Sequence, residues 1–345
     1  MEKNQDLIIE YIAKNPLKSS KEIHDGIGID ISYATVKRIL NRIKEENYVE
    51  LEGKGKGTKY KISPSYSIIY PIDIEEYFLT EIDDRIIKEE FNLELIPTTL
   101  HAVQLFTIEE LDRLNKLQAI YTENLQALSD SQYHKELERL AIDLSWKSSQ
   151  IEGNTYSLLE TERLLKEKET AEGKNKDEAT MLLNHKEAID FIVENPDYFN
   201  PIEIRGIEDI HSILTKELGV DRNIRKRRVG ISGTNYKPLD NEYQIREALQ
   251  QMCNLLNTAK NVFEKALILL VLLSYIQAFN DGNKRLARIV SNACLISNKY
   301  CPISFRTIDS VEYKKAMLIF YEQNNISVFK NIFINQFEFA VNTYF

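Results

Sequence analysis

Hydrophobic positions recur with helical spacing along most of the chain. Near the start, Leu7, Ile8, Tyr11 and Ile12 mark one face of a helix. Ser19 or Ser20 can cap a short second helix, which Gly26 and Gly28 break. Ser32 can cap a third, with an apolar stripe of Ala34, Val36, Ile39, Leu40 and Ile43. The run from Tyr48 to Ser63 then alternates around a Gly-Lys-Gly-Lys-Gly tip, as a two-stranded hairpin does. Pro64 interrupts it. Over 64–106 helical spacing is partial (Tyr77, Phe78, Ile82, Ile86, Ile87) and Pro97 stops it, so this stretch reads as a connector packed on a larger unit. From Thr107 the pattern predicts helices over 107–128, 134–151, 157–169, 176–194, 201–218, 242–258, 261–277, 283–298 and 309–324. Pro201 is placed early in its helix, where proline is favoured. The exception is Val229 to Pro238. Val229 and Ile231 alternate, and Gly233-Thr234-Asn235 offers a turn, which predicts a short β-hairpin projecting from a helical body.

Composition narrows the classes. The 345 residues, 43% of them hydrophobic, are those of a soluble globular chain with two or three units. The longest apolar run, Ala266 to Leu273, is far short of the roughly 18 residues of a membrane helix, so no membrane is expected. The N-terminus has no signal-peptide pattern. Three cysteines without a CxxC pair exclude a disulfide framework and a cysteine zinc site, and fit a reducing cytoplasm. The net charge of -9 argues against bulk binding of nucleic acid. It is unevenly spread: residues 1–62 hold 12 Lys+Arg against 10 Asp+Glu.

One stretch carries chemistry. Gln277 to Arg288, QAFNDGNKRLAR, joins two apolar helices through a sharp turn that Gly282 permits. Free backbone N–H groups at the second helix's start make an anion site. Lys284, Arg285 and Arg288 crowd positive charge into its first two turns, the wrong sign for a helix N-terminus unless an anion is present. Asp281 is a hard oxygen ligand suited to Mg²⁺ beside phosphates. From the residues alone this is a nucleotide-phosphate pocket with a metal. No Walker A, GxGxxG or GxSxG motif occurs, and the histidines lack zinc-site spacing. His185 and His211 read as core or helix-surface residues.

Two resemblances follow. Residues 1–63 resemble a winged helix-turn-helix domain. The resemblance implies DNA contact through Ser32, Tyr33, Thr35, Lys37, Arg38 and Arg42 on the third helix, and through Lys54, Lys56 and Lys59 on the wing; a protein–protein wing is the alternative. Residues 107–345 resemble Fic (Fido) proteins, whose signature H-x-F-x-[DE]-G-N-[GK]-R-x-x-R is matched at Phe279, Asp281, Gly282, Asn283, Lys284, Arg285 and Arg288. The expected architecture is therefore mainly α: a winged helix over 1–63, a connector over 64–106, and an all-helical core over 107–345 with a β-hairpin flap.

The Fic resemblance also implies roles. Members transfer AMP from ATP to a protein hydroxyl, with Mg²⁺. Asp281 would hold the metal; Gly282, Asn283, Lys284 and Arg285 would bind the nucleotide, with Asn283 and Arg285 catalytic. Val229, Gly230, Ile231, Ser232, Gly233, Thr234, Asn235 and Tyr236 match the flap that clamps a target by strand addition. Ser148, Glu152 and Gly153, in an expected helix near 134–153, resemble the family's inhibitory motif [ST]-x-x-x-E-[GN]. Its Glu pairs with the second signature arginine, here Arg288, which would otherwise hold the γ-phosphate. The departure is Gln277, where the family has the general-base His; an amide has no accessible basic pKa. Two functions stay open: a self-inhibited AMP transferase acting on a protein or on itself, and a catalytically silent nucleotide-sensing regulator that binds DNA. A homo-oligomer is compatible with either.

Overall fold

In the computed structural model, which describes residues 2–345 apart from the side chains of Glu2 and Lys56, the chain is mainly helical. The N-terminal part contains α1 (Glu2–Lys14), α2 (Ser20–Gly26), α3 (Tyr33–Glu45), and the antiparallel pair β1 (Val49–Glu52) and β2 (Lys59–Ile62), in register Val49 to Ile62. Ser19 closes a capping box with Glu22, and the Ser32 hydroxyl accepts from the Thr35 amide. Val36, Ile39, Leu40 and Ile43 bury one face of α3, whereas Ala34, expected in that stripe, is exposed.

Two short helices follow, α4 (Tyr66–Ile69) and α5 (Ile74–Tyr77). The segment from Leu79 to Asn92 then runs mostly without regular structure across the helical body. Its helical spacing is not used, because Ile82 and Ile86 face solvent instead of a core. The N-terminal part is seated through this connector. Tyr48 packs edge-on against Tyr66 and Tyr70, the Ile326 amide donates to Ile68 O at 2.7 Å, and Asn47 Nδ2 donates to Phe106 O at 3.3 Å.

The body comprises α6 (Ile108–Ala127), α7 (Asp130–Ile151), α8 (Leu158–Glu167), α9 (Lys176–Glu194), α10 (Ile204–Leu214), α11 (Glu242–Thr258), α12 (Val262–Ile276), α13 (Asn283–Ser297), α14 (Ser310–Gln323) and α15 (Ser327–Tyr344). Capping boxes at Thr107, Ser129, Ser157 and Asn175 start α6 to α9. At the centre lies α12, buried on every side from Ala266 to Ile276, as a helix apolar all round must be. It packs along α13 as a helical hairpin, with α7, α9, α10 and α14 around the pair.

Two expectations are corrected, and one helix is added within the core expected to be all-helical. Pro201 precedes α10, which starts at Ile204 and ends at Leu214. Residues 327–344, not predicted as helix, form α15 against α6, α7 and α14; its apolar residues surround the helix instead of forming one stripe. Residues 229–238 form no β-hairpin: they are a loop with a turn at Ser232-Gly233 and one parallel bridge, Lys237 with Glu90. A strand pair needs two paired edges, and this segment's second half binds the connector instead. No helix among the described residues is long and apolar enough to cross a membrane.

Candidate nucleotide site

The site is built at the turn between α12 and α13. Gln277 ends α12 in a left-handed conformation, φ 51°. Gly282, φ 83°, is the N-cap of α13; a side chain there would be strained. Having no side chain, Gly282 caps nothing, so the first-turn amides of α13 are left for another acceptor. Asn283 holds the turn's shape: its Oδ1 accepts from Phe279 N at 2.9 Å, and its Nδ2 donates to Phe279 O at 2.7 Å and Gln277 Oε1 at 3.0 Å. From α10, the His211 ring stacks on Phe279 at 3.7 Å and its Nε2 donates to Asp281 O at 2.9 Å. Burial, helped by Arg285, depresses the His211 pKa; its stacking and hydrogen bond make the ring a support for the loop.

Two guanidinium groups lie under this turn. Arg285 is 2% exposed, donates from Nη2 to Asp281 Oδ2 at 3.0 Å, and leaves Nη1 buried without a partner. Arg288 is 0% exposed. Its Nε donates to Ser148 Oγ at 2.7 Å, and its Nη2 to Ser148 O and to Glu152 Oε1, both at 2.9 Å. The Tyr313 ring lies 5.1 Å from the Arg288 guanidinium, and Arg288 Nη1 too is buried without a partner. Buried donors without acceptors are uncommon and call for a ligand or water.

Glu152, the residue that ends α7, joins the two sides: Oε1 meets Arg288 and Oε2 lies 3.4 Å from Lys284 Nζ. Burial alone would raise its pKa; Arg288 and Lys284 overcome that and hold it below the ordinary value. Gln277 is closed off. Its Nε2 donates to Ser274 O at 2.7 Å and to Tyr321 Oη at 3.3 Å, while its Oε1 accepts from Asn283.

Glu152 and Gln277 line a cavity of about 430 Å³ together with Asn280 to Lys284, Val229 to Ser232, Lys314, Met317, Leu318 and Tyr321; Arg285 and Arg288 are not among its lining residues. The volume is within the usual size of a small-ligand site. The structure thus brings together the signature turn, Glu152 and the first half of the flap. Ser148 reaches the site only through Arg288; Gly153, φ 102°, turns the chain away after α7. The flap's second half is not at the cavity. Asn235 bonds Asp83, and Tyr236, expected to face a target, is buried in a stack with Tyr275 and Tyr321.

Asp281, 66% exposed, is the one carboxylate at the turn. No cluster of three or more His, Cys, Asp or Glu occurs among the described residues. This donor set fits a Mg²⁺ that takes one protein carboxylate, phosphate oxygens and water. The residues proposed for DNA lie apart, on α3 and the hairpin. Lys37, Arg38, Lys54 and Lys59 are exposed, and the Lys56 side chain lies outside the described residues. Arg42 pairs with Glu46 at 2.7 Å, Thr35 with the Ser32 cap, and Tyr33 Oη with Ser20 Oγ. Sequence reasoning missed Tyr313, Met317 and Tyr321. Their spacing of four on α14 is the signal that one helix face lines the site.

Comparison with known proteins bears on the family and the fold. The Fic/DOC family model matches residues 201–295. A probable protein adenylyltransferase of Aquifex aeolicus is 31% identical over 99 residues, 28% of this chain and 31% of that relative, so the match spans about a third of its length. Among solved structures, the Fic-1 protein of C. elegans superposes with TM-score 0.60 at 20% identity, covering 68% of this chain and 72% of the other. A Fic-domain signalling protein of Bacteroides thetaiotaomicron gives 0.58 at 18% identity, covering 67% and 94%.

Proposed function

We propose that this chain, which carries a Fic/DOC domain, binds ATP and is built as a protein adenylyltransferase held in check by its own Glu152. The observation that carries the reading is the pair of buried arginines, Arg285 and Arg288, each with an unpartnered Nη1, beside a nucleotide-sized cavity at an uncapped helix N-terminus. Gly282, Asn283, Lys284 and Arg285 would receive the phosphates nearer the sugar. Arg288, released from Glu152, would take the outermost one through its planar fork. Asp281 would hold Mg²⁺, which neutralises phosphate charge. Val229 to Ser232 would present the target segment.

In the transfer, a target hydroxyl oxygen bonds to the α-phosphorus, the bond to the pyrophosphate oxygen breaks, and the hydroxyl proton must leave. Gln277 cannot accept it: the amide is not basic, and Asn283 already occupies its carbonyl oxygen. The proton then goes to water, and the rate lacks the factor of about 10²–10⁴ that a positioned base supplies. The closed hydrogen bonding of Gln277 also favours a second reading, a nucleotide sensor without transfer. Its output would pass through residues 1–63, proposed here as a winged helix-turn-helix that binds DNA, and the connector over 64–106. The test is titration calorimetry with ATP and Mg²⁺, joined to label transfer from α-³²P-ATP, on wild type and Glu152→Gly. Binding by both, with label transferred by Glu152→Gly, supports the transferase. Binding without transfer by either supports the sensor, and no binding by either sinks both.

A further inference from the structure

Glu322 sits near the end of α14, 1% exposed, and a carboxylate so buried needs partners. They come from the connector: Tyr77 Oη donates at 2.6 Å and Arg85 Nη1 lies at 3.4 Å. The connector is fixed alongside. The Lys88 amide donates to Glu322 O at 2.8 Å, Gln323 Nε2 to Ile86 O at 2.7 Å, and the Arg85 guanidinium covers the Phe78 ring at 4.7 Å. Arg85 Nη1 also donates to Gly233 O in the flap at 3.3 Å. Two further bonds tie the same stretch. Asn235 Nδ2 donates to Asp83 Oδ1 at 3.0 Å, and the Lys237 amide donates to Glu89 O at 2.6 Å. The flap is thus divided. Its second half, Gly233 to Lys237, is bound to the connector. Its first half, Val229 to Ser232, lines the cavity, and the backbone of those four residues makes no hydrogen bond within the described residues.

We infer that Arg85 and Asp83 are positioning residues for the flap: they hold its second half so that the backbone edge of Val229 to Ser232 stands ready over the cavity for an extended target segment. The target role of that edge rests on the proposed function; the clamp does not. Neither residue lines the cavity, and neither belongs to the turn proposed to hold the nucleotide. A loop with few bonds of its own opens locally at little cost, and its order must come from such tethers. The fold thereby assigns the connector a part in target presentation that the signature region does not contain.

The test is hydrogen–deuterium exchange on the full chain as wild type, Arg85→Ala, Arg85→Lys and Asp83→Ala, with ATP affinity measured on the same samples. Arg85→Ala and Asp83→Ala should raise exchange at the hydrogen-bonded amides of Tyr236 and Lys237, read in peptides covering 233–237, by about fivefold or more, the scale of one lost hydrogen bond. Exchange in α13 should stay as in wild type, ATP affinity should change less than about twofold, and Arg85→Lys should restore part of the protection. Asp83 is exposed, so its alanine variant carries the test if Arg85→Ala leaves Glu322 stranded and fails to fold. Flap exchange equal to wild type in a folded Asp83→Ala or Arg85→Ala protein overturns the inference. So does a rise spread equally over α13 and α14. ATP affinity of the wild type tests the nucleotide reading separately.

Discussion

Glu152→Gly withdraws one hydrogen bond and one full charge from a guanidinium that is completely buried. Breaking a buried ion pair by removing one partner costs about 3–5 kcal/mol. Here two features reduce the figure: Arg288 keeps both bonds to Ser148, at 2.7 and 2.9 Å, and Glu152 is itself 19% exposed. A cost of about 2 kcal/mol follows, or a fall in Tm of roughly 3 °C for a chain of this length. ATP should reverse it, because its phosphate replaces the missing carboxylate. Saturation at a hundred times Kd adds about 2.7 kcal/mol, enough to restore the wild-type Tm. In wild type the nucleotide must displace Glu152 from Arg288, so its affinity should be weaker by the same 2 kcal/mol, about 30-fold. Thermal melts and calorimetry with ATP and Mg²⁺ read both numbers, and Glu152→Gln separates charge from shape. If Glu152→Gly melts at the wild-type temperature and binds ATP no more tightly, Arg288 is not shared between carboxylate and nucleotide, and the reasoning fails.

Gln277→His, placed in the Glu152→Gly background, should raise label transfer from α-³²P-ATP by about 10²–10⁴; an unchanged rate would show that the missing base is not what limits transfer. The stabilisation from Glu152 follows the sign of its shift. Its folded pKa lies below the ordinary 4.5, so the contribution is complete above that value and is lost as pH falls further through the folded pKa. The Tm gap between wild type and Glu152→Gly should therefore hold from neutral pH to about pH 5 and close only in stronger acid; closure near neutrality would contradict it. Alanine at Lys37, Arg38, Lys54 or Lys59 should each lower the salt slope of DNA binding by about one, evenly across sequences. Absence of any mobility shift with wild type on duplex DNA would remove the DNA reading.

What the sequence made legible was local or carried by spacing. Capping residues and 3.6-residue periodicity placed α6 to α9 and α11 to α14 within a few residues. The turn from Gln277 to Asn283 was legible because glycine and the helix-start cations are chemically odd together. The meeting of Glu152 with Arg288, 136 positions apart, was reachable only through a family resemblance, since no periodicity links two helices that far apart in the chain. The rest depended on tertiary partners. The connector's bonds to Gly233 and Asn235 replace the ladder that alternation predicted for the flap. α15 hides its helical stripe because α6, α7 and α14 cover most of its circumference. The stacking of His211 on Phe279 has no sequence signal at all; the ring appears simply as a histidine in an amphipathic helix.

The pairing of a proposed brake, Glu152, with a glutamine at the proposed base position looks contradictory, since a site that transfers nothing needs no inhibition. Burial resolves it. Arg288 has no exposed surface, and with no nucleotide its positive charge needs a counter-charge in the low-dielectric interior. Glu152 supplies it, with Lys284 closing the other carboxylate oxygen. The carboxylate therefore stabilises the folded state itself, whatever the chemistry downstream, and its presence does not by itself argue for catalysis. What separates transferase from sensor is the proton on the target hydroxyl. Every hydrogen-bonding atom of the Gln277 side chain already has a protein partner, and those partners hold the anion turn in shape. A residue committed to the architecture of the turn is well suited to binding a nucleotide and poorly suited to taking a proton. Of the two capacities proposed for this site, binding would rest on charges already in place, and transfer on a group that Gln277 does not provide.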